Sequence, residues 1–236
     1  MTATLSTDTL AQRAQCVLFD LDGTLLDTAA DFSLVLDSMI AERGRPALSR
    51  EAVHQNVSNG ARALVELAFD VDREHADFPE LLQTLLSLYG ERVAQTQAAL
   101  YPGMAQLLEL LEGRDIPWGI VTNKPEKYCI PLLRGLGLLE RCATLICPDH
   151  VTYSKPHPEP LLLACRQAGC EPQASIYVGD HPRDITAGNE AGMYTIAAAY
   201  GYLPAEPPIA SWGANLVVDD VQAITRLLTV AATSHS

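Results

Sequence analysis

Within residues 16–28, the carboxylates of Asp20 and Asp22 stand at a spacing that could do chemistry. Cys16, Val17, Leu18 and Phe19 form an apolar run, and Asp20, Leu21, Asp22, Gly23 and Thr24 follow at once. An unbroken apolar run closed by a turn signal fits a strand buried on both faces. Alternation along an extended chain puts Asp20 and Asp22 on one side and Leu21 on the other. Two strand residues span about 6.6 Å, so the two carboxylates can address two ends of one reacting group but cannot grip one atom alike. Acids at a buried strand end are costly unless something pairs with them. Gly23 permits a turn that other residues resist. On its own, Asp-x-Asp is also an ordinary capping and turn pair.

Three further clusters sit at comparable places. Thr122, Asn123 and Lys124 follow the apolar run 118–121. A hydroxyl and backbone N–H groups there could cradle an anion, although a capping turn would read the same way. Lys155 lies in Ser154-Lys155-Pro156-His157-Pro158, where the prolines stiffen the loop and aim the lysine. A lone lysine is more often a solvated surface group. Gly179 and Asp180 follow a fourth apolar run, with Asp184 four residues on. That pair could face one way and hold a cation, or cap a helix.

The elements that must position these clusters alternate. After Thr28 the apolar period turns helical over Phe32, Val35, Leu36, Met39 and Ile40. Helical spacing continues, with breaks near 44–49 and 57–60, to about residue 100. The second half reads helix 107–111, strand 118–121, helix 128–136 (kinked or started anew at Pro131), strand 144–146, helix 160–168, strand 175–178, helix 185–191, strands 194–198 and 216–218, and helix 221–230. Such alternation predicts an α/β, Rossmann-like, doubly wound parallel sheet, with ligands beyond the carboxyl ends of the strands. An all-helical insertion, residues 28–100, then sits between core segments 1–27 and 101–236, with hinges near 27–28 and 99–103.

Composition narrows the function. The net charge is −13, which argues against a nucleic-acid surface and requires any anionic substrate to be drawn by a local cation. Hydrophobic residues make up 48% of the 236-residue chain, enough for a sizeable core. Six cysteines without a Cys-x-x-Cys pair read as reduced, packed thiols. No basic start with an apolar stretch behind it opens the chain, and no apolar run is long enough to span a bilayer. The expected setting is cytoplasmic, without a membrane partner, as a monomer or homodimer. The extreme N-terminus and the tail from about Thr229 are expected to fray.

Taken together, strand-Asp-Leu-Asp-Gly-Thr, strand-Thr122, loop-Lys155-Pro156 and strand-Gly179-Asp180-x-x-x-Asp184 resemble, in order and context, the motifs of the haloacid dehalogenase-like phosphohydrolases, over nearly the whole chain. The resemblance implies that Asp20 is the nucleophile and Asp22 the acid/base. It also implies a Mg²⁺ held by Asp20, Asp180 and the backbone carbonyl of Asp22, with Asp184 behind it. Lys155, Thr122 and Asn123 would hold the phosphate. Such cations are needed physically: two unit charges of like sign at 4 Å repel by about 4 kcal/mol at an effective dielectric near 20.

Within the family the chain resembles the phosphoglycolate phosphatase group. More narrowly, the segments Val57-Ser58-Asn59-Gly60-Ala61-Arg62-Ala63, 145–151 and Trp212-Gly213-Ala214 resemble the N-acetylmuramic acid 6-phosphate phosphatases of cell-wall recycling. The substrate implied is a small phosphomonoester that carries a carboxylate or is a sugar. Arg62, in the helical insertion, offers a planar contact to such a carboxylate, or is a plain exposed arginine. His181 stands where a small hydroxyl residue is common in the family, and His157 where an Asp often follows Lys-Pro. A dehalogenase needs no Asp22. A sugar phosphomutase and a non-enzymatic phosphoacceptor share the core motifs, and product analysis or a trapped phospho-aspartate would reveal them.

Overall fold

The computed structural model describes residues 14–230, so the expectations for the N-terminal segment and for the tail beyond 230 lie outside it. Thr229 and Val230 are the last residues of the final helix. The first strand, β1 (Cys16–Phe19), is wholly buried. Val17 and Phe19 pack into one apolar cluster, Cys16 and Leu18 into the other, so the unbroken apolar run reflects a strand covered on both faces. The chain then makes a two-residue strand β2 (Leu26–Asp27). Four helices follow: α1 (Ala29–Ala41), α2 (Arg50–His54), α3 (Gly60–Phe69) and α4 (Phe78–Arg92). Strand β3 (Ala99–Leu100) pairs antiparallel with β2.

Strand and helix alternate from there. The order is α5 (Met104–Glu112), β4 (Trp118–Val121), α6 (Glu126–Gly135), β5 (Thr144–Ile146) and α7 (Glu159–Ala168), then β6 (Ser175–Gly179), α8 (Pro182–Ala191), β7 (Tyr194–Ala198), β8 (Leu216–Val218) and α9 (Val221–Val230). All six long strands are parallel, in the order β5-β4-β1-β6-β7-β8. The chain runs outward from β1 through β4 to β5, then crosses back to β6 on the other side. The strand order therefore reverses at β1, and its two neighbours end at Thr122 and Asp180. Helix α7 and part of α8 cover one face, while α5, α6, α9 and the inserted helices share the cluster on the other.

Two differences from the sequence reading are local. Residues 99 and 100 were expected to close a purely helical stretch, but they form a strand. A strand of two residues shows no alternation to read. Pro131 lies inside an unbroken α6 instead of restarting it. All six cysteines are free thiols, and five are buried. No helix among the described residues is long and apolar enough to cross a membrane.

Candidate active site

Parallel register fixes the central carboxylate. Phe19 sits level with Ile120 and Val178, so Asp20 leaves the sheet between β4 and β6, where its N–H donates to Val178 O at 2.9 Å. Its Oδ1 accepts from Leu21 N (2.7 Å) and from Lys155 Nζ (2.9 Å). Gly23, at φ +87°, is needed here, because a Cβ would collide with the Asp180 carboxylate and the Tyr202 ring. That close approach brings the β1 loop against the β6 loop.

Lys155 reaches this point from the loop after β5. Its ammonium lies 2.9 Å from Asp20 Oδ1, 2.7 Å from Asp184 Oδ1, and 2.8 Å from both Val121 O and Tyr177 OH. Asn123 holds the loop in place: its Nδ2 donates to Lys155 O (2.9 Å), and Lys155 N donates to its Oδ1 (3.2 Å). Thr122 is buried at the end of β4, where its Oγ1 accepts from Lys124 N at 3.1 Å. Both ends of the Asn123 side chain are thus spent on Lys155, and Thr122 makes a turn bond instead of the expected helix cap, since Pro125 is the N-cap of α6.

Asp180, fully buried, accepts from Thr24 Oγ1 (3.1 Å), Ser58 Oγ (3.2 Å) and Tyr202 N (2.8 Å). Asp184 caps α8, its Oδ2 accepting from His181 N (3.1 Å), while its Oδ1 faces Lys155. One oxygen from each of Asp20, Asp180 and Asp184 can be chosen so that all lie within 4.8 Å of one another. Two of these three acids, Asp20 and Asp184, contact the single Lys155 ammonium. Burial works against the charge on Lys155, yet Asp184 and Asp20 outweigh it and raise its pKa. Burial likewise opposes the charge on Asp184, but Lys155 prevails and holds that acid low. Asp20 is pushed up to about 6 by burial, against the pull of Lys155. Asp180 is raised well above the ordinary range by burial, then by Asp20 and Asp184. The cluster is short of positive charge, and its donors are all oxygen. Both properties fit a hard divalent cation such as Mg²⁺.

The Asp22 carboxylate turns away from this cluster, leaving only its backbone carbonyl for the expected cation. Its Oδ1 accepts from Lys124 Nζ (2.7 Å) and Thr28 Oγ1 (2.5 Å). A cavity of about 470 Å³ opens over Asp20 and Asp22, walled by Thr122–Pro125 on the sheet side and by Phe32, Leu86, Tyr89 and the 57–62 loop on the helical side. Arg62 stands exposed on its wall, and Arg73 and Arg183 also line it. Arg183 Nη2 donates to Ser58 O, tying the 57–60 turn to α8. His181 caps α8 with Nδ1, which accepts from Arg183 N at 3.3 Å, and burial and then Arg183 lower its pKa to about 4. His157 is exposed and accepts from Glu159 N at 3.2 Å, the bond an Asp could make there.

Thr28, Tyr177, Ser58 and Tyr202 were not singled out as site residues from the sequence, and Lys124 was grouped with Thr122 and Asn123 but given no role of its own. Its partner Asp22 is 102 positions away, and no local pattern shows that pairing.

A family model described as haloacid dehalogenase-like hydrolase matches residues 17–198. The chain belongs to that family. An N-acetylmuramic acid 6-phosphate phosphatase of Pseudomonas putida is 47% identical over 207 residues, covering 88% of this chain and 92% of its own. A phosphoglycolate phosphatase of Xanthomonas campestris pv. campestris is 41% identical, covering 87% and 92%. Among solved structures, a predicted phosphoglycolate phosphatase from Haemophilus somnus 129pt superposes with a TM-score of 0.78 at 28% identity, covering 91% of this chain and 98% of its own.

Proposed function

We propose that this chain is a Mg²⁺-dependent phosphomonoester hydrolase that works through an aspartyl-phosphate. The observation that carries the reading is the meeting of Asp20, Asp180, Asp184 and Lys155 at the point where the strand order reverses. Asp20 and Asp180, with the Asp22 carbonyl, would hold the cation. When bound, it supplies positive charge that offsets repulsion between a carboxylate and a phosphate dianion.

Asp20 attacks phosphorus in line, and the P–O bond to the alcohol breaks as the Asp20–phosphorus bond forms. Asp22, entering protonated, gives that proton to the departing oxygen. It then takes a proton from water, whose oxygen attacks the phosphoryl group, releasing inorganic phosphate and free Asp20. Lys155 neutralises both Asp20 and the equatorial oxygens where charge spreads, and Thr122 with the loop's backbone N–H groups holds those oxygens. Residues 28–100 act as a cap over the leaving group.

The substrate we favour is N-acetylmuramic acid 6-phosphate, on the strength of the relatives that carry that name. A cavity of about 470 Å³ with several cationic side chains on its wall suits a sugar bearing a carboxylate. The alternative is 2-phosphoglycolate, the acid that names the phosphoglycolate phosphatase relatives. The test is phosphate release from both esters and from hexose phosphates with Mg²⁺, before and after chelation, for wild type, D20N and R62A. D20N abolishes release. R62A raises KM for the carboxylated substrate and leaves a hexose phosphate unchanged. Release by D20N would remove Asp20 as the nucleophile, and equal kcat/KM for all esters would overturn the substrate assignment.

A further inference from the structure

Lys124 stands apart from every group discussed so far. Its side chain is 7% exposed and donates to Asp22 Oδ1 at 2.7 Å. It comes from the sheet-side loop after β4, yet its ammonium lies over two rings from the inserted helices. The Tyr89 centroid is 4.8 Å away and the Phe32 centroid 5.3 Å. Those rings are themselves stacked, 4.2 Å apart and 6° from parallel. Tyr89 is buried, and its hydroxyl has no hydrogen-bond partner among the described residues, although it lines the cavity. The same Asp22 Oδ1 also accepts from Thr28 Oγ1 (2.5 Å), at the start of α1.

From this geometry we infer that Lys124 is a positioning residue for Asp22, fixed in place by the aromatic wall of the helical insertion. The inference rests on the phosphatase reading and adds a residue to it. An ammonium over two rings is attracted to their faces, and the Asp22 bond gives it a single direction. Asp22 has one donor from the sheet side and one from the first residues of the insertion. Its carboxyl is therefore aimed at the leaving group only when Phe32 and Tyr89 stand over Lys124. After the proton passes to the departing oxygen, Lys124 and Thr28 remain as donors to the carboxylate that is left. Arrival of the helical wall and alignment of the acid become one event.

Leaving-group chemistry separates this from a merely structural role. A nitrophenolate departs without a proton, whereas an alkoxide needs one. General acid catalysis is worth about 10²–10⁴-fold. The experiment compares 4-nitrophenyl phosphate with an alkyl ester, N-acetylmuramic acid 6-phosphate or 2-phosphoglycolate, whichever the Mg²⁺-loaded wild type turns over. K124M and K124Q should lower kcat at least about tenfold more for the alkyl ester than for the aryl ester. D22N should show the same asymmetry, and K124M/D22N should be no slower than D22N alone. Y89L, which removes a ring but no charge, should reproduce the pattern more weakly. Equal losses on both esters in K124M and K124Q, or full additivity with D22N, overturn the inference. A wild type that releases phosphate from neither ester overturns the phosphatase reading instead, before Lys124 is tested.

Discussion

Two buried lysines each neutralise an aspartate of the same β1 loop, but they are held in different ways. Lys155 has four oxygen neighbours, and every one comes from the α/β core. Lys124 has one core carboxylate and two rings that the insertion brings. The first cation is fixed wherever the insertion stands. The second is complete only when sheet and helices meet. On the proposed mechanism, Asp20 would stay paired throughout while Asp22 would be aligned only when sheet and helices meet, which would limit reaction with water while no substrate is enclosed.

The largest expected effect breaks the permanent half. K155M leaves Asp20 and Asp184 buried without a cation, and losing one partner of a buried pair costs about 3–5 kcal/mol. Thermal unfolding in chelator should show that loss, phosphate release with Mg²⁺ should be lost as well, and added Mg²⁺ should restore part of the stability. K124M should cost less, because Asp22 is 16% exposed and can be rehydrated. Equal destabilisation by the two substitutions would remove the contrast.

Next in size is a linkage between cation and pH. The Asp20 pKa is raised from 3.8 to about 6, so its contribution to metal-free stability is full below the ordinary carboxylate value and is lost as pH rises through about 6. Mg²⁺ binds the deprotonated acid. The difference in Tm between Mg²⁺ and chelator should therefore widen as pH rises, measured between about pH 4 and 8. A difference independent of pH would mean that the buried acids do not hold the ion. The smallest effect belongs to His181. The fold favours its neutral form, with a pKa lowered from 6.5 to about 4. The stabilising share is present above 6.5 and is lost as pH falls toward 4. H181S keeps an oxygen at the cap, so it should change stability at neutral pH by no more than about 1 kcal/mol and flatten the loss in acid.

The β1 loop was legible because its burial leaves a continuous apolar run and its turn needs Gly23. The strands 118–121, 144–146 and 194–198 were legible for the same reason, since a parallel sheet covered on both faces writes itself as short apolar blocks; 216–218 reads alike although Val217 at the sheet edge is exposed. What could not be read were contacts between distant segments. Nothing near Lys124 announces Asp22 or the two rings. Asn123 looks like a loop polar residue and turns out to clamp the Lys155 backbone. Tyr202, whose N–H donates to Asp180 and whose hydroxyl donates to Asp27 (2.5 Å) while accepting from Thr28 N and Ala29 N, sits in a segment with no local pattern at all. Strands β2 and β3 are too short to leave a period.

That small antiparallel pair has a consequence of its own. Because Leu26 faces Leu100 and Asp27 faces Ala99, the chain departs from the sheet and re-enters it through a single doorway. Closing that doorway with a short turn would demand no rewiring of β1, β4 or β6. A foreign helical module of another length could be grafted there at little conformational cost, provided that it again sets a ring pair over Lys124 and a donor beside Asp22.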